Sequence, residues 1–165
     1  MCANAGTAPE KSGPTRFPLA GAVALVLVAV LPAAPTLAAD YSWPVVRVVD
    51  GDTVKVDASA DLPPELASLS VRLRGVDTPE KGRRAKCGSE RQAGRAATAF
   101  TEAAIGKAES VIVRDPAWGK WGGRVIADLV LDGKPLSSTL IAAGHGRNYD
   151  GGRRESWCPK EAPGN

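Results

Sequence analysis

The stretch VVDGDTVKV, Val48 to Val56, is the strongest constraint in this chain. Valines on both sides of an Asp-Gly pair read as two short strands around a tight turn, because Asp-Gly between apolar runs is the strongest short-range hairpin signal. Asp52 is left over by that reading. It sets a second carboxylate two residues from Asp50, and two such charges ~4 Å apart repel by roughly 1 kcal/mol in water and about 4 kcal/mol at an effective dielectric near 20. A hairpin selected for stability alone would avoid this, so the turn requires a positive partner.

The rest of the pattern surrounds this hairpin with more short strands. Val45–Val49, Thr53–Asp57, Val71–Arg74, Val111–Val113 and Val125–Leu131 are strand candidates, and the loop ASADLPPELASLS with Pro63-Pro64 separates the second from the third. Ser89-Glu-Arg-Gln92 has the form of a capping box. Ala93, Ala96, Ala97, Phe100, Ala103 and Ala104 follow at helical spacing, with Gly106 placed to end the helix. Leu136–Ala143, between Pro135 and Gly144, is a second helix. The segment GVDTPEKGRRAKCGSE is too rich in glycine, proline and charge for regular structure, and the tail RNYDGGRRESWCPKEAPGN shows no periodicity. Together these elements suggest a small curled β-barrel with packed helices. The five-stranded, partly open OB-fold is one such barrel.

Before the barrel, Lys11 and Arg16 precede an uncharged apolar run of thirteen residues, Leu19 to Leu31, followed by PAAPTLAAD. A positive start, a short apolar core and a small-residue exit describe a secretory signal peptide. The competing reading is a retained membrane anchor, which thirteen residues fall short of, since a spanning helix takes ~20. The expected organisation is therefore a signal peptide over 1–39, cut after Ala38 or Ala39, a domain over 40–150 and a tail over 151–165. The mature protein is expected to be secreted or periplasmic, and a monomer. Removing Lys11, Arg16 and Glu10 lowers the formal charge from +3 to +2, a mild excess that does not by itself demand a nucleic-acid partner. Cys2 leaves with the signal, and Cys87 and Cys158 remain. An even count in an oxidising compartment favours a single disulfide over two free thiols, although sequence alone does not bring the two together.

The chemistry is narrowed by what is missing. The chain has one histidine, His145, expected in a solvated loop, and no nucleophile elbow, phosphate loop, Cys-x-x-Cys or His-Glu-x-x-His motif. Acid–base work then falls to carboxylates and phosphate work to arginines. These are supplied by Asp50-Gly-Asp52, by VRLRGVDTPE from Val71 to Glu80, and by WGGRVIADL from Trp121 to Leu129. In the second segment a strand with one polar face carries Arg72 and delivers Asp77, Thr78 and Glu80 into a loop stiffened by Pro79, where scaffolds usually place reactive groups. Asp50, Asp52 and Asp77 on two turns suit a hard cation such as calcium, which takes six to eight oxygens in flexible geometry. Taken singly, each residue also has a plain structural reading as a turn, cap or surface strand residue.

In their order and spacing, VVDGDTVKV, VRLRGVDTPE and a Trp-Gly-Gly-Arg before an apolar strand resemble the staphylococcal nuclease-like (thermonuclease) family, over about Val45 to Tyr149. The resemblance implies a five-stranded OB barrel with packed helices and a calcium-dependent phosphodiesterase that cuts DNA and RNA. It implies calcium ligation by Asp52 and Asp77, a water-mediated role for Asp50 and a backbone carbonyl from Thr78. Glu80 matches the general base, and Arg72 and Arg124 match the two phosphate-binding arginines. Two departures stand out. A second glycine separates Trp121 from Arg124, and the tail offers Tyr149, Asp150-Gly-Gly and Arg153-Arg154 where the archetype has a long helix with pocket tyrosines. Tyr149 is either a platform for a base or a core-edge tyrosine. Lys81, Arg83, Arg84 and Lys86 either guide a polyanion or form a solvated loop. Two rival functions remain open: an OB-fold module that holds single-stranded nucleic acid without cutting it, and an envelope protein whose turn binds calcium only for stability.

Overall fold

The computed structural model describes residues 39–120 and 122–159. The expected signal segment, all but Ala39, lies outside the described residues, as does Trp121. The elements run β1 (Asp40–Tyr41), β2 (Val45–Asp50), β3 (Thr53–Asp57), β4 (Ser68–Leu73), β5 (Val76–Asp77), α1 (Gly88–Lys107), β6 (Val111–Trp118), β7 (Arg124–Leu131), β8 (Lys134–Pro135), α2 (Leu136–Ala142) and β9 (Arg147–Asn148).

The main sheet has the order β1-β6-β7-β4-β3-β2, with β8 added to β7. Its pairs are antiparallel except β4 and β7, which run parallel with Arg72 opposite Ile126. The five longer strands thus follow a Greek-key order. The expectation of a barrel is met only in part: among the described strands the sheet is not closed. The two residues of β1 occupy the free edge of β6, with Tyr41 opposite Val113, and among the described residues the outer edge of β2 has no strand against it. Curling comes from irregularities in register, which bend and twist a strand. They fall in β2 on either side of Arg47–Val48 and in β6 between Arg114 and Ala117. The second explains why β6 is longer than the expected Val111–Val113. Asp115 takes a left-handed φ of 51°, and Pro116 is tolerated because a bulge needs no ladder donor there.

Alternation along the strands fills the interior. Val54, Val56, Leu69, Val71, Leu73, Val125, Ala127 and Leu129 are buried and meet Leu136 and Leu140 of α2. Trp43, which pattern reading passed over, closes one end of this core, with its indole N–H donating to Asp61 Oδ2 at 2.8 Å.

Helix α1 begins one residue before the expected cap. Cys87 is the N-cap and makes no side-chain capping bond. Glu90, not Gln92, reaches back, accepting from the Lys86 backbone N–H at 2.6 Å. Gly106 lies inside the helix, which runs on to Lys107. The buried face of α1 carries Gly94, Ala97, Thr98 and Thr101, while Ala96 and Ala103 are exposed. His145 does not stand free in solvent. It packs against Phe100, the ring centroids 4.8 Å apart.

Two segments expected to be irregular also join. Val76 and Asp77 of β5 pair antiparallel with Asn148 and Arg147 of β9. Gly146 makes the approach possible, since a Cβ there would sit 2.5 Å from Val76 Cγ2.

Candidate active site

The site forms where the β2–β3 turn, the end of β4, β5 and the N-terminal half of α1 converge. Asp50 pairs with Thr53, so the residues at the turn are Gly51 and Asp52. The glycine is not needed for a left-handed backbone, because Gly51 is not among the positive-φ residues. It is needed for space: a Cβ there would lie 2.8 Å from Ala97 Cβ and 2.9 Å from Thr78 Oγ1. Thr101 donates its hydroxyl to the Gly51 carbonyl at 2.7 Å. Helix α1 therefore clamps the turn from behind.

Asp52 is nearly inaccessible, 2% exposed, and its carboxylate is surrounded by donors. The Thr78 backbone N–H donates to Oδ2 at 2.9 Å, the Thr53 hydroxyl to Oδ1 at 3.1 Å, and Arg72 Nη1 forms an ion pair with Oδ1. Burial is the largest influence on Asp52 and pushes its carboxyl above the ordinary value. Arg72 pulls it back, and the neighbouring Asp50 adds to the rise. Asp50 itself keeps Oδ1 buried with no hydrogen-bond partner among the described residues. The repulsion inferred from the sequence is thus present in the fold, and Arg72 is only part of its compensation.

Arg72 links both acidic turns. Its Nη2 lies 3.4 Å from Asp77 Oδ1 and donates to the Val76 carbonyl at 3.3 Å. Asp77 and Thr78 are buried with Asp52. Glu80 follows at the rim and is partly exposed. Its position is set by Gly94, where a Cβ would fall 2.5 Å from the Glu80 carbonyl carbon and 2.6 Å from the Lys81 nitrogen. The helix rests on the backbone that carries Glu80, and any side chain at 94 would push it away.

Arg124 stands opposite Ser70 at the start of β7, two residues behind the Arg72–Ile126 pair. Residues two apart on a strand share a face, roughly 7 Å apart, so Arg124 and Arg72 face the same way. Among the described residues Arg124 has no carboxylate partner, and the turn before it bends at Gly123 with φ 70°. The three aspartates are not drawn into a ready cage. Among the described residues, the one cluster whose ligating atoms all lie within 4.8 Å of one another is Cys87, Glu90 and Cys158, and its two sulfurs form a disulfide with Cα atoms 6.0 Å apart.

Sequence reasoning missed the contribution of the tail. Arg154 Nε lies 2.9 Å from Asp77 Oδ1 and its Nη1 lies 3.1 Å from Glu80 Oε1. The Trp157 indole donates to Asp77 Oδ2 at 3.1 Å. Tyr149 is half-buried beside them, its hydroxyl donating to the Gly152 carbonyl at 2.9 Å. It lines a cleft of about 720 Å³ and is not part of the core. Of the loop cations, Arg84 comes within 4.0 Å of Glu80.

The chain matches the family of staphylococcal nuclease homologues over residues 70–161. The span is more than half of the chain and contains Arg72, Asp77, Thr78, Glu80 and Arg124, while Asp50 and Asp52 lie just before it. The chain belongs to this family, and its class is that of a nuclease, with an OB-type sheet and a nucleic-acid substrate. No curated protein matches it.

Proposed function

We propose that the protein is an exported, calcium-dependent phosphodiesterase that hydrolyses DNA and RNA with little sequence preference and works as a monomer. The observation that carries this reading is the convergence of buried Asp52, Asp77 and Thr78 with Arg72 and Glu80 at one end of the sheet. The orphaned Asp50 Oδ1 and the raised Asp52 carboxyl fit a hard cation, because a cation would relieve both. Asp52, Asp77 and the Thr78 carbonyl would hold it, with Asp50 acting through water. A flexible oxygen-rich set of this kind suits calcium better than magnesium. When bound, the ion supplies Lewis-acid polarisation of a phosphate oxygen.

The remaining work belongs to side chains. Glu80 takes the proton from the attacking water as its oxygen bonds to phosphorus, and the ester bond opposite breaks, its electron pair going to the leaving oxygen, which takes a proton from solvent. Arg72 and Arg124 bind the phosphoryl oxygens through paired donors as charge builds on them. For Arg72 this would mean giving up part of its hold on Asp52 and Asp77, whose charge a cation held by them would offset. The planar fork matters, and Arg72→Lys is expected to lose both rate and substrate affinity.

The pairing of Glu80 with Arg154 favours a second reading, a binder that does not cut, since the carboxylate is then engaged by a guanidinium and not by a water. One incubation separates the two. Purified mature protein is mixed with plasmid DNA and with RNA, first in calcium and then in chelator. Cleavage in calcium and none in chelator is expected. Intact nucleic acid in calcium, or equal cleavage in chelator, overturns the proposal.

A further inference from the structure

The tail after α2 holds itself at both ends. At one end β9 pairs with β5, and the Tyr149 N–H donates to the Gly75 carbonyl at 3.1 Å. At the other, Cys158 is bonded to Cys87 at the start of α1. Arg147 fastens the loop to itself, its guanidinium 3.6 Å from the Trp157 ring centroid and its Nη1 donating to the Ser156 carbonyl at 3.0 Å. These contacts suffice to latch the tail, and none of them uses Arg154.

Arg154 lies between the two anchors and reaches the two carboxylates that matter most to the proposed chemistry, Asp77 and Glu80. Its side chain remains 41% exposed, so the guanidinium keeps a face toward solvent. The cleft beside it is lined by Arg72, Arg74, Arg147, Tyr149 and Arg153 as well. A site that must accept a polyanion thus receives a further cation from a segment with no regular pattern of its own.

We propose that Arg154 is a substrate-binding arginine, delivered by the disulfide-anchored tail, that exchanges Asp77 and Glu80 for a backbone phosphate when a nucleic-acid strand enters the cleft. The inference rests on the phosphodiesterase reading above. It also accounts for the pairing at Glu80: the arginine occupies the carboxylate until an anion draws it off, and the freed carboxylate then faces the water. A latch residue would stabilise the tail and leave ligand affinities alone. A phosphate-gripping residue that also competes with a cation for Asp77 has two effects of opposite sign. Its removal weakens nucleic-acid binding and strengthens calcium binding.

The test uses the full mature protein and a fluorescent single-stranded DNA oligonucleotide of mixed sequence, titrated in chelator so that nothing is cut. Arg154→Gln is expected to weaken binding by about tenfold, the scale of one charge-assisted hydrogen-bonded contact. The slope of log affinity against log salt should shrink by about 0.7, one phosphate contact to a single strand. Arg154→Lys should restore the salt slope and only part of the affinity. Calorimetry with calcium alone should show tighter binding to Arg154→Gln than to wild type. Cys87→Ser with Cys158→Ser should weaken oligonucleotide binding while Arg154 is intact, because its anchor is gone. An unchanged affinity and salt slope in Arg154→Gln overturns the proposal, and unchanged binding by the cysteine variant overturns the role of the anchor. If the wild type binds DNA but never cuts it in calcium, the phosphodiesterase reading fails, while the titrations still decide what Arg154 does.

Discussion

The β2–β5 region and the tail over 147–158 both bring charged groups to Asp77, but they hold them by different means. In the first, position comes from packing. Asp52 and Asp77 are buried, and Gly51 and Gly94 let helix α1 touch the backbone that carries the acids. In the tail, position comes from a covalent anchor and a two-residue ladder, and most side chains remain exposed. Packed groups cannot move without disturbing the core. Anchored groups can exchange partners. The chemistry is therefore expected to depend on the first region and substrate capture on the second.

The largest stability effect should come from cutting the anchor. The disulfide spans a sequence separation of 71, for which the loop-entropy estimate is roughly 4 kcal/mol. Cys87→Ser with Cys158→Ser should lose up to that amount in chemical denaturation. Calcium binding should survive, because Asp50, Asp52 and Asp77 are set by packing. A variant that loses calcium binding while still folded would break the distinction between the two regions.

A smaller effect is expected on the packed side. Gly94→Ala forces α1 off the Glu80–Lys81 backbone, an overpacking cost of about 1–3 kcal/mol, and should slow cleavage by displacing Glu80. Gly106→Ala is the control: beyond its own turn of helix nothing lies within 4 Å of its added Cβ, so it should gain about 0.5–1 kcal/mol and leave cleavage alone. Thermal melts and initial rates of both variants measure the contrast.

The smallest effect concerns Asp50. Asp50→Asn removes the charge beside Asp52 and offers it a donor, so the ion-free protein should become more stable by about 1 kcal/mol. Calcium should then raise its melting temperature less than it raises that of the wild type. The pH dependence follows from Asp52, whose folded carboxyl is raised. Folded protein then binds more protons than unfolded protein, and this group costs stability at neutral pH. The cost is relieved as pH falls from the raised value toward the unfolded one. Asp40 and Asp57 are lowered and act in the opposite sense, so the comparison is wild type against Asp50→Asn across that range. The pH-dependent part should shrink in the variant.

What the sequence made legible follows the same division. Asp50, Asp52, Arg72, Asp77 and Glu80 lie in two short runs whose alternation already fixes strand and turn. β3 has the bounds its valines suggested, and α2 differs from its expected span by one residue. The sheet, by contrast, is not closed among the described strands, and β1 takes the edge of β6, a pairing of two residues with no pattern to announce it. Arg154 and Trp157 reach Asp77 across 77 and 80 positions, which no local periodicity encodes. Gly94 did leave a signal. A glycine amid alanines costs a helix about 1 kcal/mol, and such a position calls for a close neighbour, here the Glu80 backbone.

The central claim is that Glu80, positioned by the packed region, is the base. It is tested most directly by single-turnover cleavage of a labelled oligonucleotide at saturating enzyme in calcium, comparing Glu80→Gln with wild type. The substitution keeps size and much of the hydrogen bonding while removing the proton acceptor, so the rate should fall by at least about 10²-fold with DNA binding not weakened. Cleavage by Glu80→Gln at the wild-type rate would contradict the account.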